Sequence, residues 1–284
     1  MEDNPPVRPE ERNCPVSENF SPATAQHVGL EPMGARRPSV FTSSLSVSDG
    51  DAPEAVYFPY DDDATEYLKA KDKTLAPIID YIGHINRPMD GDLFEAVMRS
   101  IIGQQISTAA QKTICRHMGD GLGEVTPETV TAAGVEGLQS FGTTFKKAEY
   151  MHDFALKVLS GEFDLDAVAT MPDAEAIAAL SSLKGVGTWT AEMILLFSLG
   201  RQDIFAFDDL AIHRGIRMVY NHRKVTREMF ERYRRRFSPY GSVASLYFWE
   251  VSHGVVPGLV DHAPKKKPAK KTHRQPRKPK KENR

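Results

Sequence analysis

The sequence predicts an all-α protein, and three observations support this prediction. Apolar residues recur at helical spacing in most segments between residues 64 and 251. Several of these segments begin at a residue type that commonly caps a helix. The sequence contains no convincing alternation of apolar and polar residues of the kind that predicts a β-strand, and no internal repeat. We therefore expect helices joined by loops, with a tail of different character at each end.

The two tails differ from the middle of the chain in composition. Residues 1–63 are rich in Pro, Ser, Asn and Glu and hold 12 acidic residues against four arginines. Residues 264–284 hold 11 lysines or arginines and one acid, although the formal net charge of the whole chain is only −2. Segments of such composition do not bury a core. The sequence thus predicts a disordered acidic segment over 1–60, a folded domain over 64–263 and a disordered basic tail over 264–284.

The charge and cysteine content narrow the class of protein. A basic run beside a near-neutral domain is typical of proteins that bind a polyanion, and the alternatives are a solubilising tail or a localisation signal. The two cysteines, Cys14 and Cys115, are too few for a disulfide framework or an iron–sulfur cluster. We find no signal-like or membrane-length apolar segment, so we expect a protein that is not secreted and does not bind membranes. We expect it in the cytoplasm or nucleoid of a bacterium, or in the nucleus of a eukaryote.

Helix signals follow one another along the chain. Asp92, Ser107 and Thr126 are the predicted helix caps, and Pro127 suits the first turn of the helix after Thr126. Gly103 is expected to end a helix, and a turn is expected directly after it. The predicted helical segments include 64–82, 93–103, 107–118, 144–159, 228–237 and 243–251.

A glycine-rich break separates two further helical patterns. Apolar residues have helical spacing up to Leu183, and the pattern resumes after Thr188. Gly185-Val186-Gly187 between them predicts a hairpin, since glycine adopts positive φ and lets another backbone approach closely. The N–H groups at the start of the second helix form a natural phosphate site. A bare Gly-x-Gly also occurs in ordinary αα-turns, so the hairpin alone is not decisive.

The segment after the hairpin makes the pattern specific. Phe205-Ala206-Phe207-Asp208-Asp209 lies one helix and one loop downstream. The hairpin and this acidic pair together resemble the helix-hairpin-helix DNA glycosylase superfamily, and within it the 3-methyladenine DNA glycosylase II (alkylpurine) branch. The resemblance covers residues 64–260. It implies two helical lobes around a cleft, with a hairpin lobe at about 93–205 and a second lobe made of 64–92 and 210–262.

The resemblance assigns the catalytic role to Asp209. A carboxylate can stabilise the oxocarbenium-like transition state of N-glycosidic cleavage and orient a water molecule. Asp209 also precedes an apolar-periodic helix, so a capping role is compatible with catalysis, and Asp208 is the rival candidate. Trp189 stands where glycosylases that also cut the backbone carry a Schiff-base lysine, so the resemblance implies a monofunctional enzyme. Its indole would stack on a flipped cationic base, and the alternative is a core aromatic.

Further DNA contacts follow from the resemblance. Gln104 and Gln105 would face the minor groove, with Gln105 as the wedge that fills the gap left by the flipped base. An exposed turn without function is the alternative for this pair. The remaining DNA-binding residues are Lys184, Gly185, Gly187 and Thr188. The residues whose backbone carbonyls would hold a monovalent cation, Na⁺ or K⁺, are Ser181, Leu183 and Val186.

The resulting hypothesis is a monofunctional enzyme that removes alkylated purines from duplex DNA by base flipping. We expect a monomer that needs no cofactor apart from that cation. One alternative is a glycosylase of the same fold that acts on deaminated or oxidised bases. A second is a non-catalytic DNA-binding protein, and a bifunctional lyase is the least expected. The chain departs from the family at Gly241, where an arginine is common, which weakens any inference about contacts there.

Overall fold

The computed structural model describes residues 56–264, and these residues form twelve helices. The all-α prediction is confirmed: within this range the sole β-type pairing is an isolated bridge between Tyr57 and Pro88. The predicted basic tail, except for Pro264, and the predicted acidic segment up to residue 55 lie outside the described residues. No helix in the described range is both long enough and apolar enough to cross a membrane.

The helices follow one another in a simple order. They are α1 (Asp62–Lys71), α2 (Ala76–Ile82), α3 (Leu93–Gly103), α4 (Thr108–Leu122), α5 (Pro127–Ser140), α6 (Phe145–Leu159), α7 (Leu165–Thr170), α8 (Asp173–Ser181), α9 (Thr188–Leu199), α10 (Leu210–Tyr220), α11 (Arg227–Phe237) and α12 (Gly241–His253).

Local sequence explains most of the helix boundaries. The caps predicted at Asp92, Ser107 and Thr126 are present, and each side chain accepts a hydrogen bond from the backbone N–H three residues later. The single helix predicted over 64–82 is wrong, because the chain turns at Asp72 and forms two helices. The short helix α7 was not predicted, since six residues are too few to show a clear period.

The helices pack as two lobes. Helices α3 to α9 contact mainly one another, and these include the hairpin between α8 and α9. The second lobe combines α1 and α2 with α10, α11 and α12. Its closest helix crossing lies at Gly215 of α10, where an added Cβ would clash with the backbone carbonyl of Phe248 in α12. The residue limits given above for the lobes stay a prediction.

The buried carboxylate of Asp72 forms hydrogen bonds to several helices of the second lobe. Asp72 is only 3% exposed, and its Oδ1 accepts a hydrogen bond from the backbone N–H of Leu75 at 3.0 Å. Its Oδ2 accepts hydrogen bonds from the Tyr220 hydroxyl at 2.8 Å and from the Arg236 guanidinium at 2.5 Å. One side chain thus links the α1–α2 corner to α10 and α11.

Candidate active site

Asp209 is the best-anchored acidic side chain near the hairpin. It caps the N-terminus of α10, and its Oδ1 accepts hydrogen bonds from the backbone N–H groups of Ala211 at 2.8 Å and Ile212 at 2.9 Å. Its Oδ2 accepts a hydrogen bond from the indole Nε1 of Trp189 at 3.0 Å. Asp209 is 6% exposed, so the carboxylate is held in one orientation between the N-terminal ends of α9 and α10.

The loop that leads to Asp209 is pinned by aromatic packing. Phe205 is buried and stacks on Phe230 of α11, with 4.7 Å between ring centroids. His213, one turn into α10, contacts the carbonyl of Phe207 through Nε2 at 2.7 Å and stacks on the same Phe230 ring. Burial lowers the pKa of His213. We assigned His213 no role from the sequence, and its position four residues after Asp209 is the only sequence signal for this contact.

Trp189 is not a core residue. It lies in the first turn of α9 with 44% of its surface exposed, although its indole N–H is bonded to Asp209. The core interpretation of this residue is therefore wrong. The structure leaves part of the aromatic surface accessible beside a fixed carboxylate. Stacking of this ring on a base stays a prediction.

Asp208 has different surroundings from its neighbour. Its side chain is exposed and lines a cavity of about 420 Å³ that also contacts Thr188, Glu192, Phe207 and Arg227. Burial and the nearby charge of Asp208 raise the pKa of the Glu192 carboxyl to about 7. Sequence reasoning missed Glu192, because its environment depends on how α9 packs against the Asp208 loop.

The two hairpin glycines differ in their surroundings. Gly185 has φ of +85°, and an added Cβ would lie 2.5 Å from the Tyr150 ring, so both the backbone angle and the space require glycine. Gly187 is the N-cap of α9, and an added Cβ there would meet nothing within 4 Å. Thr188 beside it is exposed. The first turn of α9 is therefore open to an incoming phosphate.

The remaining predicted DNA contacts lie next to the hairpin. Gln104 ends α3, and its side-chain amide donates a hydrogen bond to the carbonyl of Gly185. Gln105 is exposed with φ of +57°, a left-handed conformation that is uncommon for a residue other than glycine. Lys184 is 62% exposed and forms an ion pair with Asp153 of α6 at 2.9 Å. The fold thus brings the Gln104–Gln105 turn and the hairpin together, although they are about 80 residues apart.

The three carbonyls predicted to hold a cation lie around the end of α8. Ser181 is the last residue of this helix, and its buried hydroxyl has no hydrogen-bond partner in the described part of the chain. The carbonyl of Leu183 already accepts a hydrogen bond from the Val186 N–H at 3.1 Å, which leaves one of its two lone pairs for an ion. The hydrogen bond to Leu183 therefore does not prevent its carbonyl from binding a cation. The cation site stays a prediction.

Gly241 has a local explanation. Its N–H donates a hydrogen bond to Oδ1 of Asp203 at 3.1 Å, and an added Cβ would lie 2.8 Å from the same oxygen. A larger side chain would disturb this contact with the loop that leads to Asp209. Tyr247 and Phe248 of the same helix are fully buried and belong to the core.

Known proteins share sequence and fold with this chain. The family described as HhH-GPD superfamily base excision DNA repair protein matches residues 98–239. DNA-3-methyladenine glycosylase 1 of Schizosaccharomyces pombe is 26% identical over 194 residues, which cover 66% of this chain and 85% of that protein. DNA-3-methyladenine glycosylase 2 of Escherichia coli is 29% identical over 171 residues, which cover 56% of this chain and 57% of that protein.

A solved structure has the same helical architecture. The DNA-3-methyladenine glycosidase from Bacillus halodurans superposes with a TM-score of 0.63 at 29% identity, covering 69% of this chain and 92% of that one. The chain spans only 57% to 62% of the length of two Bacillus subtilis relatives. The family match nevertheless covers half of the chain and includes both the hairpin and Asp209. The chain belongs to the HhH-GPD superfamily of base excision DNA repair proteins.

Proposed function

We propose that the protein is a monofunctional DNA glycosylase that hydrolyses the N-glycosidic bond of alkylated purines in duplex DNA. The observation that carries this proposal is the Asp209–Trp189 pair, in which an anchored carboxylate lies beside a partly exposed aromatic ring. The names of the relatives, DNA-3-methyladenine glycosylases, support the substrate class. The product would be an abasic site for base excision repair.

Asp209 would act on the sugar. When the bond between the anomeric carbon and the base nitrogen breaks, its electron pair leaves with the base and positive charge develops on the sugar. The carboxylate stabilises that charge, orients the water that attacks the anomeric carbon and accepts the proton that this water loses. Because the hydrogen bonds from Trp189 and from the N-terminus of α10 fix the carboxylate beforehand, little reorganisation is needed during the reaction.

Trp189 would hold the extruded base. An aromatic face attracts a cation, and 3-methyladenine and 7-methylguanine carry a positive charge while attached to the sugar. Such bases leave as neutral molecules, so the reaction needs no general acid. Lys184 forms an ion pair with Asp153 on α6, and Trp189 occupies the position where a lyase would carry its lysine. These observations support hydrolysis without strand cleavage.

The hairpin and the neighbouring turn would bind the DNA around the lesion. The open N-terminus of α9 at Gly187 and Thr188 suits a phosphate, with Gly185 shaping the hairpin and Lys184 adding positive charge. A monovalent cation on the carbonyls of Ser181, Leu183 and Val186 would supply a further attraction for that phosphate. Gln105 would enter the duplex in place of the flipped base. We expect the protein to act as a monomer.

Base release from methylated duplex DNA tests the proposal. The released bases are separated, and the strands are probed for breaks before and after alkali treatment. We expect 3-methyladenine or 7-methylguanine, with strands that break only after alkali, and a rate that falls about 100-fold or more in Asp209→Asn. Asp208→Asn is the control for loss of a neighbouring charge. Release from duplexes that carry a deaminated or oxidised base, with none from methylated DNA, would keep the enzyme class and overturn the substrate. Binding without release from any of these duplexes would favour a non-catalytic DNA-binding protein.

A further inference from the structure

One face of helix α6 contacts both elements that the proposed function assigns to DNA binding. Lys147, Tyr150 and Asp153 are spaced three residues apart and so lie on the same side of this helix. Asp153 pairs with Lys184 at 2.9 Å, and the Tyr150 ring lies against Gly185 so closely that a Cβ there would not fit. Two of these residues therefore fix the hairpin.

Lys147 fixes the Gln104–Gln105 turn. Its ammonium group donates hydrogen bonds to the carbonyls of Ile102 at 2.8 Å and Gln104 at 2.6 Å, which lie three residues and one residue before Gln105. These carbonyls lie at the C-terminal end of α3, where the helix dipole favours a positive charge. Lys147 is a half-buried residue, and burial lowers its pKa. Because its ammonium group is bonded to two backbone carbonyls, it restrains the backbone at the end of α3.

A direct bond joins the turn to the hairpin. The Gln104 side chain donates to the carbonyl of Gly185, so the turn is tied to α6 by its backbone and to the hairpin by its side chain. Gln105, the next residue, has φ of +57°, a conformation that costs free energy and persists only where the surroundings enforce it. The contacts of Lys147 and Gln104 restrain the backbone directly before this residue.

We infer that Lys147 is a positioning residue for base extrusion: it holds the Gln104–Gln105 turn at a fixed distance from the phosphate-binding hairpin. The inference rests on the proposed function, since it assigns the turn to the gap left by the flipped base. A misplaced turn would fail to stabilise the extruded state of a paired base. The rate of base release would fall much less on a duplex that lacks the base opposite the lesion, because no base pair then opposes extrusion.

Two duplexes that contain 7-methylguanine at a defined position test the inference. One pairs the lesion with cytosine, and the other places it opposite an abasic-site analogue. Single-turnover release is measured for the unaltered protein, Lys147→Met and Lys147→Arg. We expect Lys147→Met to lower the rate about tenfold or more on the paired duplex and less than about threefold on the other. We expect Lys147→Arg, which keeps a cationic donor, to recover part of the loss.

Matched variants separate positioning from folding. Lys157→Met removes a lysine near the other end of α6, where it pairs with Glu162, and we expect it to leave both rates unchanged. Gln104→Met removes the bond to Gly185 without touching Lys147, and we expect the same selective loss. If Lys147→Met does not fold, Lys147→Arg still tests the inference, because its smaller loss should again be confined to the paired duplex. Equal slowing on both duplexes, or no slowing, would overturn the inference. Failure of the unaltered protein to release the base from either duplex would instead overturn the proposed function on which the inference rests.

Discussion

Nε1 of Trp189 donates a hydrogen bond of 3.0 Å to Oδ2 of Asp209, twenty residues further along the chain. The bond joins the first turn of α9 to the N-cap of α10, and so connects the hairpin lobe to the second lobe. The aromatic residue that the proposed function assigns to the base thus also orients the carboxylate that it assigns to the sugar.

Trp189→Phe separates these two roles. Phenylalanine keeps an aromatic face but has no N–H, so Asp209 loses one of its three hydrogen bonds. A hydrogen bond to a charged group contributes about 1.5–3 kcal/mol, so we expect the single-turnover rate of base release to fall about 10- to 100-fold. Trp189→Ala, which also removes the stacking surface, should lower the rate further. The control is Trp249→Phe, which should keep the rate of the unaltered protein. Trp249 is partly buried, and its indole stacks on Phe197.

Gly187→Ala tests the phosphate site without disturbing the fold. A Cβ at Gly187 meets open space, and the backbone angles there suit alanine, so we expect the midpoint of thermal unfolding to change little. The methyl group would stand where a phosphate approaches, so the affinity for duplex DNA should fall. Gly215→Ala is the opposite case, because its Cβ would meet the Phe248 backbone, and we expect a loss of about 1–3 kcal/mol of stability. An unchanged affinity in Gly187→Ala would exclude this residue from the DNA interface.

We expect Glu192→Gln to stabilise the folded protein by an amount that increases with pH. Burial and the charges of Asp208 and Asp209 raise the pKa of Glu192 to about 7 in the folded protein, against an ordinary value near 4.5. The folded state therefore keeps a proton that the unfolded chain has released, so the stability contributed by Glu192 falls as pH rises towards 7. Relative to the unaltered protein, the thermal midpoint of Glu192→Gln should rise between about pH 5 and pH 8.

Glu175→Gln provides the comparison for that measurement. Glu175 is exposed on α8, so its replacement removes the same charge without removing a buried carboxyl. We expect its thermal midpoint to run parallel to that of the unaltered protein across the same pH range. Parallel behaviour of Glu192→Gln as well would contradict the prediction for Glu192.

We expect Asp72→Ala to lower the free energy of unfolding more than the removal of an exposed ion pair does. It would leave the buried hydroxyl of Tyr220 and the guanidinium of Arg236 without their shared acceptor. Although the Arg236 side chain is 44% exposed, loss of a buried charged acceptor should cost about 1.5–3 kcal/mol, which urea denaturation measures directly. Asp153→Ala removes a partly exposed partner of Lys184 and should cost less than about 1 kcal/mol. Similar losses for the two variants would show that Asp72 is not the fastening point of the lobe.

Local features of the fold could be predicted from the sequence because their causes are local. Asp92, Ser107 and Thr126 cap helices through contacts made within one turn. Gly185 has the positive φ that is expected of a glycine between two helical segments. The all-α class followed from the helical spacing of the apolar residues, and the resemblance to the family followed from the hairpin and the acidic pair after it. The break at Asp72 was missed because the apolar period continues across it, although Asp72 accepts hydrogen bonds from the N–H groups of Thr74 and Leu75 and Pro77 stands in the first turn of α2. The partners of its other oxygen, Tyr220 and Arg236, lie more than 140 residues away.

The contacts that organise the site depend on packing between distant segments. Nothing near Lys147 in the sequence indicates that it binds the carbonyls at the end of α3, 43 to 45 residues earlier. The Trp189–Asp209 bond and the burial of Glu192 likewise require the relative placement of α9 and the following loop. Residue types could therefore be assigned to roles from the pattern, but the hydrogen bonds that hold them could not.

The bond between Asp72 and Arg236 spans 164 residues, and that between the Tyr67 hydroxyl and the carbonyl of Ser238 spans 171. Helices α1 and α2 therefore leave the ribosome well before α10 to α12, the helices that complete their lobe, have been made. The helices of the hairpin lobe are contiguous in sequence, so this lobe can fold before the second lobe is complete. During that time Leu68 of α1 and Ile79 of α2, which are buried in the folded protein, are exposed to solvent. Contacts of such long sequence separation also slow folding. Synthesis of this chain consequently favours an order of assembly, in which the lobe with the hairpin is complete before the lobe that carries Asp209.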